Sequence, residues 1–179
     1  MDLPRFKYHP DPLKTGSIVP SDETCEVCEE ARGFLYEGGI YTEEEIEAVC
    51  PWCIADGSAH EKFDIEFIDP AAVGGDDCDE VSPEIVEEVA FRTPGFSAWQ
   101  EQRWFTHCRD GGEFLGPMGK KELQQAGTEA IEAIRLESGY DEEEWVDYFK
   151  SMHLKHGPVT AYLFKCRHCG KLGGYSDCN

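Results

Sequence analysis

Cys25-Glu-Val-Cys28 and Cys50-Pro-Trp-Cys53 decide how this chain is read. A Cys-x-x-Cys turn puts two sulfurs on one side of an ion. Two such turns complete the tetrahedral shell that zinc takes in a closed structural site. The 21 residues between the two pairs suffice for a hairpin and a short helix, which is zinc-ribbon-like spacing. Gly33 to Tyr41, with Glu37-Gly38-Gly39 at its middle, reads as the hairpin. Thr42 and Glu45 read as a capping box that opens an acidic helix running to Val49.

A third pair, Cys166-Arg-His-Cys169, follows the best strand pattern of the sequence, Val159 to Phe164, and has no fourth pair to complete it. Cys108 is the best third ligand, and His107 beside it offers a fourth, with Asp110 nearby. His168, Cys178, or His153 and His156 at helical spacing stay open as alternatives. The candidate ligands are therefore Cys25, Cys28, Cys50 and Cys53 for one Zn2+, and His107, Cys108, Cys166 and Cys169 for a second. Cys78, in an acidic, Gly-rich stretch from Asp69 to Glu80, reads as a free thiol in an exposed loop. Cys-Pro-Trp-Cys also suits a redox pair at a helix start. A redox pair must be uncommitted, however, and no βαβ pattern precedes Cys50.

Nine cysteines are an odd number, so full pairing within the chain is impossible. The start, Met-Asp-Leu-Pro-Arg-Phe-Lys, lacks the basic and apolar runs of a signal peptide. No stretch approaches the roughly 20 apolar residues that span a bilayer. The expected location is the cytoplasm, where thiols stay reduced and bind metal rather than pair.

Thirty-seven acidic residues against 16 basic ones give a net charge of −21. Nucleic acid and anionic membranes are then poor partners, because both need basic surface. The field favours a basic protein partner and would speed its approach. Enzyme signatures are missing: there is no Gly-x-Gly-x-x-Gly, Walker or His-Glu-x-x-His motif. A closed four-ligand site also leaves no position for a reacting water. The expectation is a binding protein, not an enzyme.

The remaining elements fill in an α+β fold. Residues 1 to 24 read as extended coil over the body, and Phe63, Ile65 and Phe67 as a strand. Ser82-Pro83 starts a helix that Thr93-Pro94-Gly95 ends. Phe96, Trp99, Trp104 and Phe105 read as a short core-facing helical segment. Lys120 to Leu136 reads as one amphipathic helix stopped by Gly139, and Asp141 caps another. The expected organisation is a zinc-ribbon-like region over 1–68, joined to a helical half over 69–179 with a small antiparallel sheet and a C-terminal zinc knuckle.

Several longer stretches carry a family likeness: Leu3-Pro4, Phe6-Lys7-Tyr8-His9-Pro10, Lys14 to Ile18, Cys50 to Gly57, Arg92 to Gln100, Trp104, His107-Cys108, Phe114-Leu115-Gly116 and Cys166 to Lys171. In these the chain resembles the CbrC family of bacterial proteins, which carries three Cys-x-x-Cys motifs. The resemblance implies Cys25, Cys28, Cys50, Cys53, Cys108, Cys166 and Cys169 as metal ligands. It also implies a link to tolerance of a nuclease colicin. Combined with the charge of −21 and a metal-stiffened scaffold, that link makes the expectation an immunity protein that binds and neutralises a basic toxin. A zinc-ribbon adaptor with another protein partner is the alternative.

Overall fold

The computed structural model describes residues 2–75, 78–154 and 157–178. In chain order it comprises α1 (Pro12–Thr15), β1 (Ile18–Pro20), β2 (Phe34–Tyr36), α2 (Pro51–Ala55), α3 (Ser58–Phe63), a 3-10 turn (Pro70–Ala72) and α4 (Pro83–Arg92). These are followed by β3 (Thr106–His107), β4 (Asp110–Gly111), β5 (Glu113–Met118), α5 (Lys120–Ala126), α6 (Thr128–Ser138), α7 (Glu142–Ser151), β6 (Val159–Lys165) and β7 (Leu172–Cys178).

The organising element is β6, the central strand of an antiparallel sheet ordered β5-β6-β7. Successive side chains of a strand face opposite ways, and here both faces are covered. Val159, Ala161 and Leu163 pack with Leu123, Ala130, Ile134 and Trp145 from the three C-terminal helices. Tyr162 and Phe164 pack on the other side with Tyr8, Phe96, Trp104 and Phe114. A strand buried on both faces reads as a continuous apolar run, which is why Val159 to Phe164 was legible. Pro117 is tolerated in β5 because β5 is an edge.

A separate core built from residues between Phe6 and Phe67 holds the N-terminal part. Its local structure differs from expectation. The stretch 33–41 is not a hairpin: β2 pairs with β1, Ile18 opposite Tyr36, so the N-terminal segment is a strand partner rather than loose coil. Tyr41 instead exchanges backbone hydrogen bonds with Glu66 (3.0 and 2.9 Å). No helix forms over 42–49. The Glu26 carboxylate accepts the Glu47 and Ala48 N–H groups (3.0 and 2.8 Å), and the Ala48 and Val49 carbonyls accept from Glu26 and Tyr36. The Thr42 hydroxyl donates to the Phe63 carbonyl (2.6 Å) and accepts the Glu44 N–H (3.3 Å), but no helical turn follows. Backbone groups drawn to partners across the chain cannot close helical turns. The strand expected at 63–67 is likewise displaced, since Phe63 ends α3.

Farther along, Phe96 to Phe105 is irregular rather than helical. Phe96 and Trp104 are core, while Trp99 is 43 % exposed. The amphipathic run from Lys120 breaks into α5 and α6 at Gly127 (φ 104°, ψ 177°), a backbone conformation that favours glycine. Asp141 caps α7 as expected, accepting from the Glu143 and Glu144 N–H groups at 2.9 Å each.

His9 is buried beside the rings of Trp104 and Phe114. Its Nδ1 donates to the Pro94 carbonyl (2.7 Å) and its Nε2 accepts from the Thr15 hydroxyl (2.7 Å). Burial pushes its pKa down to about 4. An unfolded histidine titrates near 6.5, so between those values the unfolded chain holds a proton that the folded chain lacks. Stability therefore falls as pH drops from about 6.5 to 4, by about 3 kcal/mol, and this loss is complete below that window. Chemical denaturation of the parent and a His9→Gln variant at pH 7 and pH 4.5 checks this. The gap between the two proteins should narrow at the lower pH.

Candidate metal centres

The first centre joins one knuckle to one helix turn. In the knuckle, the Cys25 N–H donates to the Glu30 carbonyl (3.0 Å) and the Glu29 N–H to the Cys25 carbonyl (2.8 Å). Glu29 takes a positive φ of 60° to close it. The second pair sits differently. Cys50 is the N-cap of α2, Pro51 holds the first helical position, and Cys53 lies one turn on. The expectation of paired knuckles is thus corrected: Pro51 starts a helix where a second knuckle would need a turn. The extended stretch before Cys50 carries the pair back to Cys25, whose sulfur accepts the Cys50 N–H (3.2 Å).

All four sulfurs lie within 4.8 Å of one another. The separations are 3.9 Å for Cys25–Cys53, 3.9 Å for Cys28–Cys50 and 3.5 Å for Cys50–Cys53. Metal–sulfur bonds of about 2.3 Å in a tetrahedron give sulfur–sulfur edges of about 3.8 Å, so this donor set fits zinc without rearrangement. Cys25, Cys50 and Cys53 are buried and Cys28 half-buried. Hydrogen bonding from Cys50 lowers the Cys25 thiol, while the same bond and burial push Cys50 up. An entering divalent ion would displace the protons the cluster still holds, which links loading to proton release.

The second centre joins a tight hairpin to a knuckle. Thr106 pairs with Gly111 and His107 with Asp110, leaving Cys108-Arg109 as a two-residue turn. Both turn residues have positive φ, 56° and 57°. Two-residue hairpin turns require this backbone, and non-glycine residues adopt it at a cost of about 1 kcal/mol or more each. The knuckle between β6 and β7 repeats the first: the Cys166 N–H donates to the Lys171 carbonyl (2.8 Å), and the Gly170 N–H to the Cys166 carbonyl (3.0 Å). Gly170, at φ 79°, occupies the position that Glu29 holds in the first knuckle.

His107, Cys108, Cys166 and Cys169 place their donor atoms within 4.8 Å of one another. His107 Nδ1 is 3.3 Å from the Cys108 sulfur and 3.5 Å from that of Cys169. A zinc tetrahedron with sulfur and nitrogen ligands has mixed edges of about 3.6 Å. Of the open alternatives for the fourth ligand, the structure brings His107 to the cluster. His168 turns away to Asp110 (3.0 Å), Cys178 ends β7, and His156 lies outside the described residues. Cys78 is half-buried rather than exposed.

Asp110 ties the second centre together, a role the sequence reading missed. It is buried, and its carboxylate accepts from Tyr8 Oη (2.6 Å), Arg167 Nη1 (2.8 Å), His168 Nε2 (3.0 Å) and its neighbour's Gly111 N–H (2.9 Å). Burial works to raise this carboxyl, but hydrogen bonds from Tyr8 and His168 and the charge of Lys7 outweigh it and hold it at about 2. One side chain thus fastens the hairpin, the knuckle and the N-terminal segment. Such partners outside the ligand set orient metal ligands. The only signal in the sequence was its place two residues after Cys108.

Fold and donor sets together define an α+β protein with two separate four-donor clusters that could each hold a metal ion, one mostly buried and one at the surface. The chain belongs to the Uncharacterised protein family (UPF0167), whose model matches residues 3–178. UPF0167 proteins of Mycobacterium bovis and of Mycobacterium tuberculosis are each 45 % identical to it over 178 residues, covering 98 % of this chain and 93 % of theirs. A UPF0167 protein of Pseudomonas aeruginosa is 38 % identical over 173 residues, covering 94 % of this chain and 93 % of its own. No solved structure matches the chain. Among the described residues no helix is long and apolar enough to cross a membrane.

Proposed function

We propose that this chain is a zinc-stiffened acidic protein that binds a basic protein partner, and that the partner is a bacterial toxin, most concretely a nuclease, which it neutralises. The observation that carries this reading is the surface around the α6–α7 turn. Leu136, Tyr140 and Val146 are exposed there at 66, 38 and 49 %. Asp141, Glu142, Glu143 and Glu144 stand exposed among them. Among the described residues none of these four carboxylates forms an ion pair, and the same holds for Glu43, Glu44, Glu45 and Glu47. Exposed aromatic and aliphatic anchors within a charged rim suit a protein interface. The third acidic cluster, 76–80, falls partly outside the described residues.

The net charge of −21 would steer a basic partner. Carboxylates would stand where such a partner holds phosphates. Two metal centres would fix the presenting surface in advance, so little ordering entropy is lost on binding. The resemblance to the CbrC family, through its link to nuclease-colicin tolerance, supports the choice of toxin. On this reading the protein acts in the cytoplasm and by binding, not catalysis.

The test is calorimetric titration of the zinc-loaded chain with a purified colicin DNase domain at 50 and 200 mM salt. Affinity should fall at least tenfold across that range, and again in a variant carrying Asp141→Asn, Glu142→Gln and Glu143→Gln. No binding, or binding indifferent to salt and to these changes, would refute it.

A further inference from the structure

The two centres differ in access and in the charge around them. Three of the four sulfurs of the first are buried, within a core of apolar side chains. At the second, Cys108 and Cys169 are exposed and only Cys166 is buried. The first lies among Glu23, Glu26, Glu29, Glu30 and the acids at 43–47, with Arg32 paired to Glu30 (2.8 Å) and Lys62 donating to the Val27 carbonyl (2.8 Å). The second is flanked by Arg109, Lys165, Arg167 and Lys171, all exposed, with Lys7 held to Asp110 (3.4 Å). Arg167 is paired with Asp110 (2.8 Å) and Asp79 accepts the Arg109 N–H (3.2 Å), while among the described residues the Arg109, Lys165 and Lys171 side chains form no ion pair. Solvent access beside positive charge is the setting of reactive cysteines, whereas buried ones are inert.

We infer that the second centre is a peroxide-reactive site, in which Cys108 and Cys169 are oxidised to a disulfide with release of the bound ion, while the first centre is inert. One thiolate attacks a peroxide oxygen and displaces hydroxide, giving a sulfenic acid. The second thiolate attacks that sulfur, forms the S–S bond and releases a second hydroxide. Two thiolates supply two electrons, hydrogen peroxide accepts them, and the ion leaves because half its ligands are gone. The sulfurs start within 4.8 Å of each other, on two loops that Asp110 already ties together. Closure needs a shift of the turn and not of the sheet. The inference rests on zinc loading at both centres and is independent of which partner the protein binds.

The experiment treats the zinc-loaded full chain with graded hydrogen peroxide. It follows zinc release with a chromogenic chelator and maps disulfides by differential alkylation and mass spectrometry. Zinc is counted before peroxide is added, so fewer than two ions at that point refutes the loading itself. The expected result is release of one ion per chain together with a Cys108–Cys169 disulfide, with Cys25, Cys28, Cys50 and Cys53 unoxidised and the release reversed by dithiothreitol and zinc. An Arg109→Glu, Lys171→Glu variant keeps all four ligands and should release its ion at least threefold more slowly. Equal release from both centres, release from the first centre before the second, or no release at doses that oxidise Cys78 and Cys178 overturns the inference.

Discussion

Replacing Cys50 by serine should leave the protein with one zinc ion and cost about 5 kcal/mol or more, because structural zinc contributes about 10–16 kcal/mol in small zinc domains. Serine is nearly isosteric and a good N-cap, so α2 loses nothing at its start. The penalty therefore reports the ion. Cys50 is fully buried, with its sulfur 3.5 Å from Cys53 and 3.9 Å from Cys28. Three remaining sulfurs would face a hydroxyl that is a poor zinc ligand. A domain of this size is stable by only about 5–15 kcal/mol, so residues of the N-terminal core should exchange amide hydrogens rapidly and become protease-sensitive. The sheet around β6 has its own cores and should keep its protection. Native mass spectrometry with hydrogen exchange reads both effects. Two retained ions and an unchanged exchange pattern would contradict the assignment of the first centre.

Trp104→Ala should destabilise the protein by about 4 kcal/mol, the middle of the range for emptying a buried aromatic site. Trp104 is fully buried and meets the rings of Phe96, Phe114 and Phe164 at centroid distances of 5.8, 6.1 and 5.3 Å. Its Nε1 donates to the Gly112 carbonyl (3.0 Å), immediately beyond the hairpin that carries His107 and Cys108. Its backbone bridges to the end of the 3-10 turn at Ala72 and to Gly74 beyond it. The indole thus sets the height of the hairpin against the sheet. Zinc affinity at the second centre should fall in this variant while the first centre stays loaded. Trp104→Phe keeps most of the volume and loses only the donor, which should cost about 1–2 kcal/mol. Thermal and denaturant unfolding, with chelator competition at each centre, separates the packing loss from the ligand-positioning loss.

Ligand identity was largely legible because cysteine spacing is a local code. Three Cys-x-x-Cys pairs named six of the eight candidate ligands, and the doublet His107-Cys108 supplied the other two. The best strand and the Asp141 cap were legible for the same reason: a continuous apolar run and a cap with an acid three residues on are short-range patterns. Structure set by distant partners was hidden. Thr42 to Glu45 matches a capping box, yet Glu26 captures the Glu47 and Ala48 backbone donors that a following helix would need. Phe34 to Tyr36 pairs with Ile18 to Pro20 and not with its own neighbours, and nothing within 33–41 signals this. Strand β7, with Gly173 and Gly174 near its start, carries little strand pattern of its own and is set by pairing with β6. Asp110 was visible only as a nearby acid, and its donors come from positions 7, 8, 111, 167 and 168.

The most direct test of the account is zinc per chain by native mass spectrometry, together with the thiols that alkylate before metal is removed. Two ions are predicted, with the seven ligand cysteines protected until chelation and only Cys78 and Cys178 reactive beforehand. A metal-free chain whose nine cysteines all react at once, or a Cys50–Cys53 pair that cycles between dithiol and disulfide, would contradict it.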